Sequence, residues 1–548
     1  MTRLKFVTLA AALSLGAPAI AQPVAKPTLI VAISIDQFSS DLFSEYRSHF
    51  TSGLKRLAGG IVFPRGYQSH AATETCPGHS TILTGSRPAR TGIIANDWQN
   101  PSLERRDVGG RPSYEVYCAE APGPVGSATA PQIISSAFLR VPTLGDRMKV
   151  VTPASRVVAV SGKDRAAVMM GGHNADVTLW WDGKAFTTYA GRSASIPAAI
   201  AAINTRATAA IAKPVARKLP TMCKAYDRAI PISATATVGT LTPRKAGNER
   251  GWRATPQFDD LTVDAALASV SALKLGRGSA TDVLAVSLSA TDYTGHSFGT
   301  EGAEMCAQIA ALDATLGRMF AALDKSGVRY VAMLTADHGG HDLPERSNMQ
   351  ALPAAQRVVP ALFASAVGAA ISKDLGLSGN ALIGRTAFGD MYIAPSVPGT
   401  KRSAVRAAAV DFYRAQPQVA AVFTRDEIAA APPPSGPVDE WALIDRAKAS
   451  FDAERSGDFI VLLKPYVTPI PSSISGYVAT HGSPWGYDQR VPILFWWKGA
   501  APFEQPSAVE TADILPTLAS LINLDVPRSE IDGRCLDIVA GAASNCAP

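Results

Sequence analysis

The feature that most restricts the fold of this chain is a set of short apolar runs that lead into acidic or imidazole side chains. The runs at 29–35, 156–160, 283–288, 330–334 and 491–496 are nearly continuous in apolar residues and rich in Val, Ile and Leu, without regular polar alternation. Runs of that length and kind are strands covered on both faces. Ala-rich stretches of helical character, such as 303–323 and 403–416, are interspersed among them. This predicts an α/β chain with a mainly parallel central sheet flanked by helices. Ligands of such sheets gather beyond the carboxyl ends of the strands, so the residues that follow each run are where chemistry is expected.

With 47% hydrophobic and 18% charged residues over 548 positions, the chain can bury a large core. Its 52 basic and 46 acidic residues leave a formal charge of +6 with no basic stripe, which gives no footprint for nucleic acid. Two stretches break the strand–helix rhythm, at about 173–255 and at about 346–475, the latter with a Pro-rich linker at 431–437. Both are expected to be insertions that cap the core. At the start, Arg3 and Lys5 precede an apolar stretch and then Ala19-Ile20-Ala21, the pattern of a secretory signal peptide over residues 1–21. The expectation is therefore a periplasmic or secreted protein, with no later run long enough to span a membrane. Six cysteines follow, and an oxidising compartment should pair some of them, Cys535 with Cys546 being close enough to staple the C-terminus.

After the runs come Asp36, then Asp292 and His296, then Asp337-His338-Gly339-Gly340, while His481 lies in a glycine-rich loop before the last run. Any one of these has a bland reading, since an Asp after a strand is commonly a helix cap. Together, three carboxylates and three imidazoles are too many for one tetrahedral ion and suit two. The nucleophile candidate is Thr75, in Thr75-Cys76-Pro77-Gly78-His79, where a hydroxyl enters a helix start that favours phosphate. Its rival, Cys76, lacks the histidine–asparagine pattern of a thiol enzyme, and the Pro and Arg spacing of a sulfatase is missing.

The block Thr75 to His79, with Thr84-Gly85, Gly92-Ile93 and Asn96, resembles the alkaline phosphatase superfamily, and within it the threonine-using nucleotide pyrophosphatase/phosphodiesterase-like branch. The resemblance implies an alkaline-phosphatase-like core and two Zn²⁺ ions. One would be held by Asp292, His296 and His481, and the other by Asp36, Asp337 and His338 with Thr75. It implies that Asn96 binds a non-bridging phosphoryl oxygen and that reaction passes through a phosphothreonine, with room for additional Ca²⁺ or Mg²⁺.

Ser161-Gly162-Lys163-Asp164-Arg165, just after the run at 156–160, bears on monoester against diester. A monoester dianion carries a charge that a diester lacks, and two cations aimed at it would select the monoester. Lys163 and Arg165 resemble the Lys/Arg pair of threonine-dependent bacterial alkaline phosphatases of the sphingomonad and PafA types. The reading is a monomeric, broad-specificity, zinc-dependent phosphomonoesterase acting on small molecules. The alternatives are a phosphodiesterase or nucleotide pyrophosphatase on the same two-zinc site, and a non-catalytic zinc-binding scaffold. His79 is expected at the helix start behind Thr75, Asp164 as structural, His341-Asp342 as support for the metal loop, Tyr487-Asp488 near His481, and the two Trp pairs as packing.

Overall fold

The computed structural model describes residues 26–103, 105–106, 112–122, 133–350, 352–384, 386–473, 477–539 and 544–546. The expected signal peptide lies outside them. The central sheet is built from β1 (Leu29–Ile35), β2 (Ile61–Tyr67), β3 (Val157–Ser161), β4 (Val177–Trp181), β5 (Asp282–Leu288), β6 (Tyr330–Thr335) and β7 (Arg490–Trp497). Their order is β2-β7-β6-β1-β5-β3-β4, extended at the edges by short segments at 503–504, 509–510 and 186–187. The five strands from β6 to β4 are mutually parallel. β7 runs antiparallel to both its neighbours, β6 and β2.

That reversal matters for the site. The carboxyl ends of the parallel strands and the amino end of β7 open on the same edge, so a loop before β7 meets loops that follow β1, β5 and β6.

The apolar runs divide their side chains between two cores, which is why none of them alternates with polar residues. Val31, Ile33 and Ile35 face one core with Phe258, Leu316 and Phe320, while Ile30 and Ala32 face the other with Ile82, Leu515 and Leu518. The helices that cover the sheet include α1 (Thr75–Ile82), α2 (Asp164–Gly171), α3 (Pro256–Leu273), α4 (Ala290–Phe298) and α5 (Ala303–Ser326). Asp313 on α5 accepts the backbone N–H groups of Thr51, Ser52 and Leu54 at 2.7, 2.9 and 2.7 Å, and so caps the helix Gly53–Ala58 from outside its own sequence.

The stretch 173–255 opens with β4, a strand of the central sheet, and only the chain beyond it departs from the core. Trp181 from β4 packs against Trp252 and Phe258, and Trp180 and Trp181 are buried packing residues as expected. Within 346–475 lies a separate antiparallel sheet in the order 382–383, 389–393, 459–463, 419–424, with its own core around Met391, Tyr413 and Phe459. Disulfides join Cys76 to Cys118, Cys223 to Cys306, and Cys535 to Cys546. Among the described residues no helix is long and apolar enough to cross a membrane.

Candidate active site

Every strand-end residue singled out in the sequence arrives at one buried cluster. Asp36 follows β1, Asp292 and His296 sit on α4 after β5, Asp337 and His338 follow β6, and His481 comes from the loop before β7. Two trios have ligand atoms within 4.8 Å of one another and could each hold a metal ion: Asp36, Asp337 and His338, and Asp292, His338 and His481. His338 belongs to both. His296 places its Nε2 3.3 Å from Asp292 Oδ1, beside the second trio.

The imidazoles are oriented by the backbone. Nδ1 of His338 lies 2.8 Å from the Gly339 carbonyl, that of His296 3.0 Å from Ala479, and that of His481 2.8 Å from Thr73. Each Nδ1 therefore carries the proton, and each Nε2 turns a lone pair into the cluster. Burial lowers His338 to about 3 and His296 to about 4, which keeps both rings neutral, the form that ligates. In His481 burial acts in the same direction, but the Asp292 carboxylate beside it outweighs burial and moves the ring upward.

The carboxylates are strained electrostatically. Burial, then the charges of Asp292 and Asp337, push Asp36 well above the usual range. Burial also opposes ionisation of Asp292, but His296, Lys163 and His481 outweigh it and hold it well below that range. Asp36 Oδ1, Asp292 Oδ1 and His338 Nε2 are buried without a hydrogen-bond partner, while Asp36 Oδ2 faces the Lys163 ammonium and Asp337 Oδ2 faces His79. Three carboxylates and unpartnered ligand atoms in one buried cluster are costly with a single ammonium among them, and oxygen plus imidazole nitrogen suits a borderline divalent ion.

Glycines and one strained residue let the loops approach. A side chain at Gly78 would meet the Asp337 carbonyl at 2.0 Å, so α1 can lie against the Asp337 loop only with glycine there. Gln37, directly after Asp36, takes a left-handed φ of 65° and donates its N–H to Asp337 Oδ1 at 3.1 Å.

Thr75 is the first residue of α1 and is buried. Lys163 Nζ and Arg165 Nη2 both point at its Oγ, each at 3.4 Å. Lys163 also lies 2.6 Å from Asp36 Oδ2 and 2.6 Å from Asp292 Oδ2, a buried ammonium between the two trios. Those carboxylates outweigh the burial that would discharge it. Asn96 accepts the Cys76 N–H on Oδ1 at 2.8 Å, while its own N–H donates to Glu74 Oε2 at 2.6 Å. With Oδ1 so engaged, the Asn96 amide has its donor end left for a ligand. A cavity of about 280 Å³ opens beside this group, lined by Glu74, Trp98, Phe388, Tyr392 and Gly482.

Among the remaining candidates Cys76 is excluded, as its sequence context indicates, and Asp342 departs from expectation. Cys76 is disulfide-bonded to Cys118, so it is no rival nucleophile. His79 is more than a helix-start residue: its Nδ1 lies 2.8 Å from the Thr75 carbonyl and 3.1 Å from Asp337 Oδ2, and its Nε2 2.9 Å from Ser287 Oγ. Asp342 does not support the metal loop but pairs with Arg346 at 2.6 Å, and His341 bonds Thr468 Oγ1 at 3.0 Å. Tyr487 packs on His341, with ring centroids 4.8 Å apart, and accepts the Tyr466 N–H. Tyr117, which no local signal marks, bonds Asp164 beside Arg165.

The chain is similar to known proteins over most of its length. Residues 30–483 match the family described as type I phosphodiesterase/nucleotide pyrophosphatase. Alkaline phosphatase PhoK of a Sphingomonas species is 52% identical over 533 residues, covering 95% of this chain and 93% of that protein. Alkaline phosphatase PhoD of Zymomonas mobilis subsp. mobilis is 48% identical, covering 94% of this chain and 89% of that protein. The crystal structure of alkaline phosphatase PafA shares the fold with a TM-score of 0.80 at 26% identity, over 95% of this chain and 100% of that one.

Proposed function

The chain belongs to the type I phosphodiesterase/nucleotide pyrophosphatase family and is an alkaline phosphatase; on that premise we propose that it hydrolyses small phosphate monoesters, with broad specificity, through Thr75. The observation that carries the reading is the convergence of Lys163 and Arg165 on Thr75 Oγ next to the two trios that could each hold a metal ion.

Asp292, His296 and His481 would hold one zinc ion, and Asp36, Asp337 and His338 the other, with Thr75 as its reactive neighbour. Bound there, the ions would supply Lewis acidity that favours the Thr75 alkoxide and offsets charge on the attacking and leaving oxygens. The chain's own groups do the rest. Thr75 Oγ attacks phosphorus, the P–O bond to the leaving alcohol breaks, and a phosphothreonine forms, which water then hydrolyses. Asn96, held by Cys76, donates to a non-bridging oxygen. Lys163 and Arg165 meet the second negative charge of a monoester, which a diester does not carry.

The same reading places the enzyme outside the cytoplasm after cleavage of residues 1–21, in keeping with its three disulfides, and takes it as a monomer. It also takes 346–475 and the part of 173–255 beyond β4 as caps over the catalytic core.

The test compares kcat/KM for p-nitrophenyl phosphate and bis-p-nitrophenyl phosphate on zinc-loaded protein at alkaline pH. A strong monoester preference, lost in Arg165→Ala, is expected. Arg165 is the cleaner probe because Lys163 also touches Asp36 and Asp292. A diester preference in the parent protein would instead make it a phosphodiesterase on the same residues.

A further inference from the structure

The Lys163 ammonium has two kinds of neighbour. Asp36 Oδ2 and Asp292 Oδ2, each at 2.6 Å, and Thr75 Oγ at 3.4 Å are ligating or reacting groups. The ring of Tyr293 is neither, and Nζ stands over it, 5.2 Å from the centroid. A cation at that range is attracted by the negative face of the ring, most strongly away from water, and Lys163 is buried.

These neighbours are not equivalent once the site is in use. Asp36 and Asp292 belong to separate trios that could each hold a metal ion. A dication held by either carboxylate would offset its charge and repel the ammonium. In the reading above Thr75 attacks phosphorus. Among the described groups around Nζ, the Tyr293 ring alone attracts it without also serving metal or phosphorus.

The ring is itself held from outside the metal loops. Its hydroxyl accepts a hydrogen bond from Arg253 Nη1 at 3.0 Å, and the guanidinium lies 4.7 Å from its centroid. Phe258 packs on it with centroids 6.0 Å apart. Arg253 ends the short helix Glu249–Arg253, where Glu249 pairs with its Nε at 3.0 Å and accepts Trp181 Nε1 at 2.9 Å. Tyr293 is thus fixed through β4 and the chain beyond it, as well as by its place next to Asp292.

Resting on the monoesterase reading above, we propose that Tyr293 is a positioning residue whose ring face keeps the Lys163 ammonium at Thr75 while the carboxylates hold metal, and thereby favours monoester dianions over diesters. It touches no reacting atom and acts through Lys163.

The experiment measures kcat/KM for p-nitrophenyl phosphate and bis-p-nitrophenyl phosphate, zinc content, and the calorimetric Kd of inorganic phosphate. It compares the zinc-loaded parent with Y293F, Y293L, K163A, R165A and the Y293L/K163A double variant. Y293L should lose roughly tenfold in monoester kcat/KM and in phosphate affinity, with diester turnover within about twofold and zinc at the parent level. Y293F keeps the ring face and loses only the Arg253 bond, so it should stay within about threefold of the parent. In the K163A background Y293L should add nothing. Equal losses on both esters, loss of zinc in Y293L, a Y293F as damaged as Y293L, or a full additional loss in the double variant would each overturn the role of the ring. If R165A itself keeps the parent's monoester-to-diester ratio, the monoester clamp falls and this inference with it.

Discussion

The site has two walls built on different principles. The wall of Asp36, Asp292, His296, Asp337, His338 and His481 stands on strand ends, and its rings are locked by carbonyls of the adjoining loops. The wall of Thr75, Asn96, Lys163 and Arg165 is assembled from a helix start, a loop and a second helix start, with one disulfide tying it to the strand at 115–117. The first wall is fixed by the central sheet and should tolerate little. The second is fixed by side chains and should be tunable, with effects on which ester is cleaved as well as on rate.

The sharpest separation of the walls is Thr75→Ala. It removes the nucleophile but no carboxylate or imidazole, so monoester turnover should fall by about 10⁴-fold or more. Zinc content, read by atomic emission on the purified protein, should stay at the parent level. Loss of metal in this variant would mean that Thr75 belongs to the first wall instead.

Next in size is His79→Gln, because His79 is where the walls touch. Its ring spans the Thr75 carbonyl, Asp337 Oδ2 and Ser287 Oγ. The glutamine amide reaches the place of Nε2 and leaves the place of Nδ1, which faces both Thr75 and Asp337, without a donor, so Asp337 loses a partner. Partners of this kind are worth about 10–100-fold in metal affinity or activity. Zinc affinity measured by competition with a chelator should weaken, and added zinc should restore part of the turnover. An unchanged affinity would place His79 wholly with the nucleophile helix.

How much of each wall could be read in the sequence follows from the same division. Asp36, Asp292, Asp337 and His338 are legible because an apolar run stops and the next polar residues sit at the sheet edge. His481 is legible as a glycine-flanked histidine, yet the reason it belongs depends on β7 running antiparallel, and an apolar run carries no direction. The start of the 173–255 stretch was obscured in a related way, since β4 is a short core strand whose Trp pair reads as easily as surface packing. Tyr117 left no trace: its place beside Asp164 comes from a strand next to Cys118, which is joined to Cys76, and spacing does not reveal pairing. Asp342 shows the opposite error. Proximity to His341 suggested a shared task, whereas Arg346, one helical turn further on, takes its carboxylate.

The double variant Cys76→Ser/Cys118→Ser tests whether the second wall depends on its link. Both sulfurs are buried, and no metal-wall residue bonds to either. Removing a cross-link over 42 residues of chain should lower stability by about 2–4 kcal/mol. If the link also seats Asn96, which holds both Cys76 and Cys118 by backbone hydrogen bonds, monoester kcat/KM should fall by roughly tenfold below the unfolding temperature while zinc content holds. A variant that loses stability but keeps its monoester turnover would show that the pairing of 97–99 with 115–117 seats Asn96 unaided.

The smallest effect concerns support beneath the first wall. Asp259 on α3 accepts the Ala290 N–H at 3.0 Å, at the start of the helix that carries Asp292 and His296, and the Gln308 amide at 2.9 Å. Burial, with Asp260 nearby, pushes its carboxyl up to about 7 despite those donors. A carboxyl whose folded pKa lies above its unfolded value of about 4 binds more protons in the native state between those limits. Stability from this group therefore falls as pH rises from about 4 to about 7, and at alkaline pH the full penalty is present. Asparagine can keep the bond from Ala290 and, after the Gln308 amide turns over, donate to Gln308 Oε1, which has no partner. Asp259→Asn should stabilise the protein in urea by on the order of 1 kcal/mol at pH 8–9, with the gain gone near pH 4. Its monoester-to-diester ratio should match the parent's, since Asp259 supports only the helix that carries Asp292 and His296. A gain that persists at pH 4 would assign the effect to packing, and a changed ratio would show that the two walls are mechanically coupled through α4.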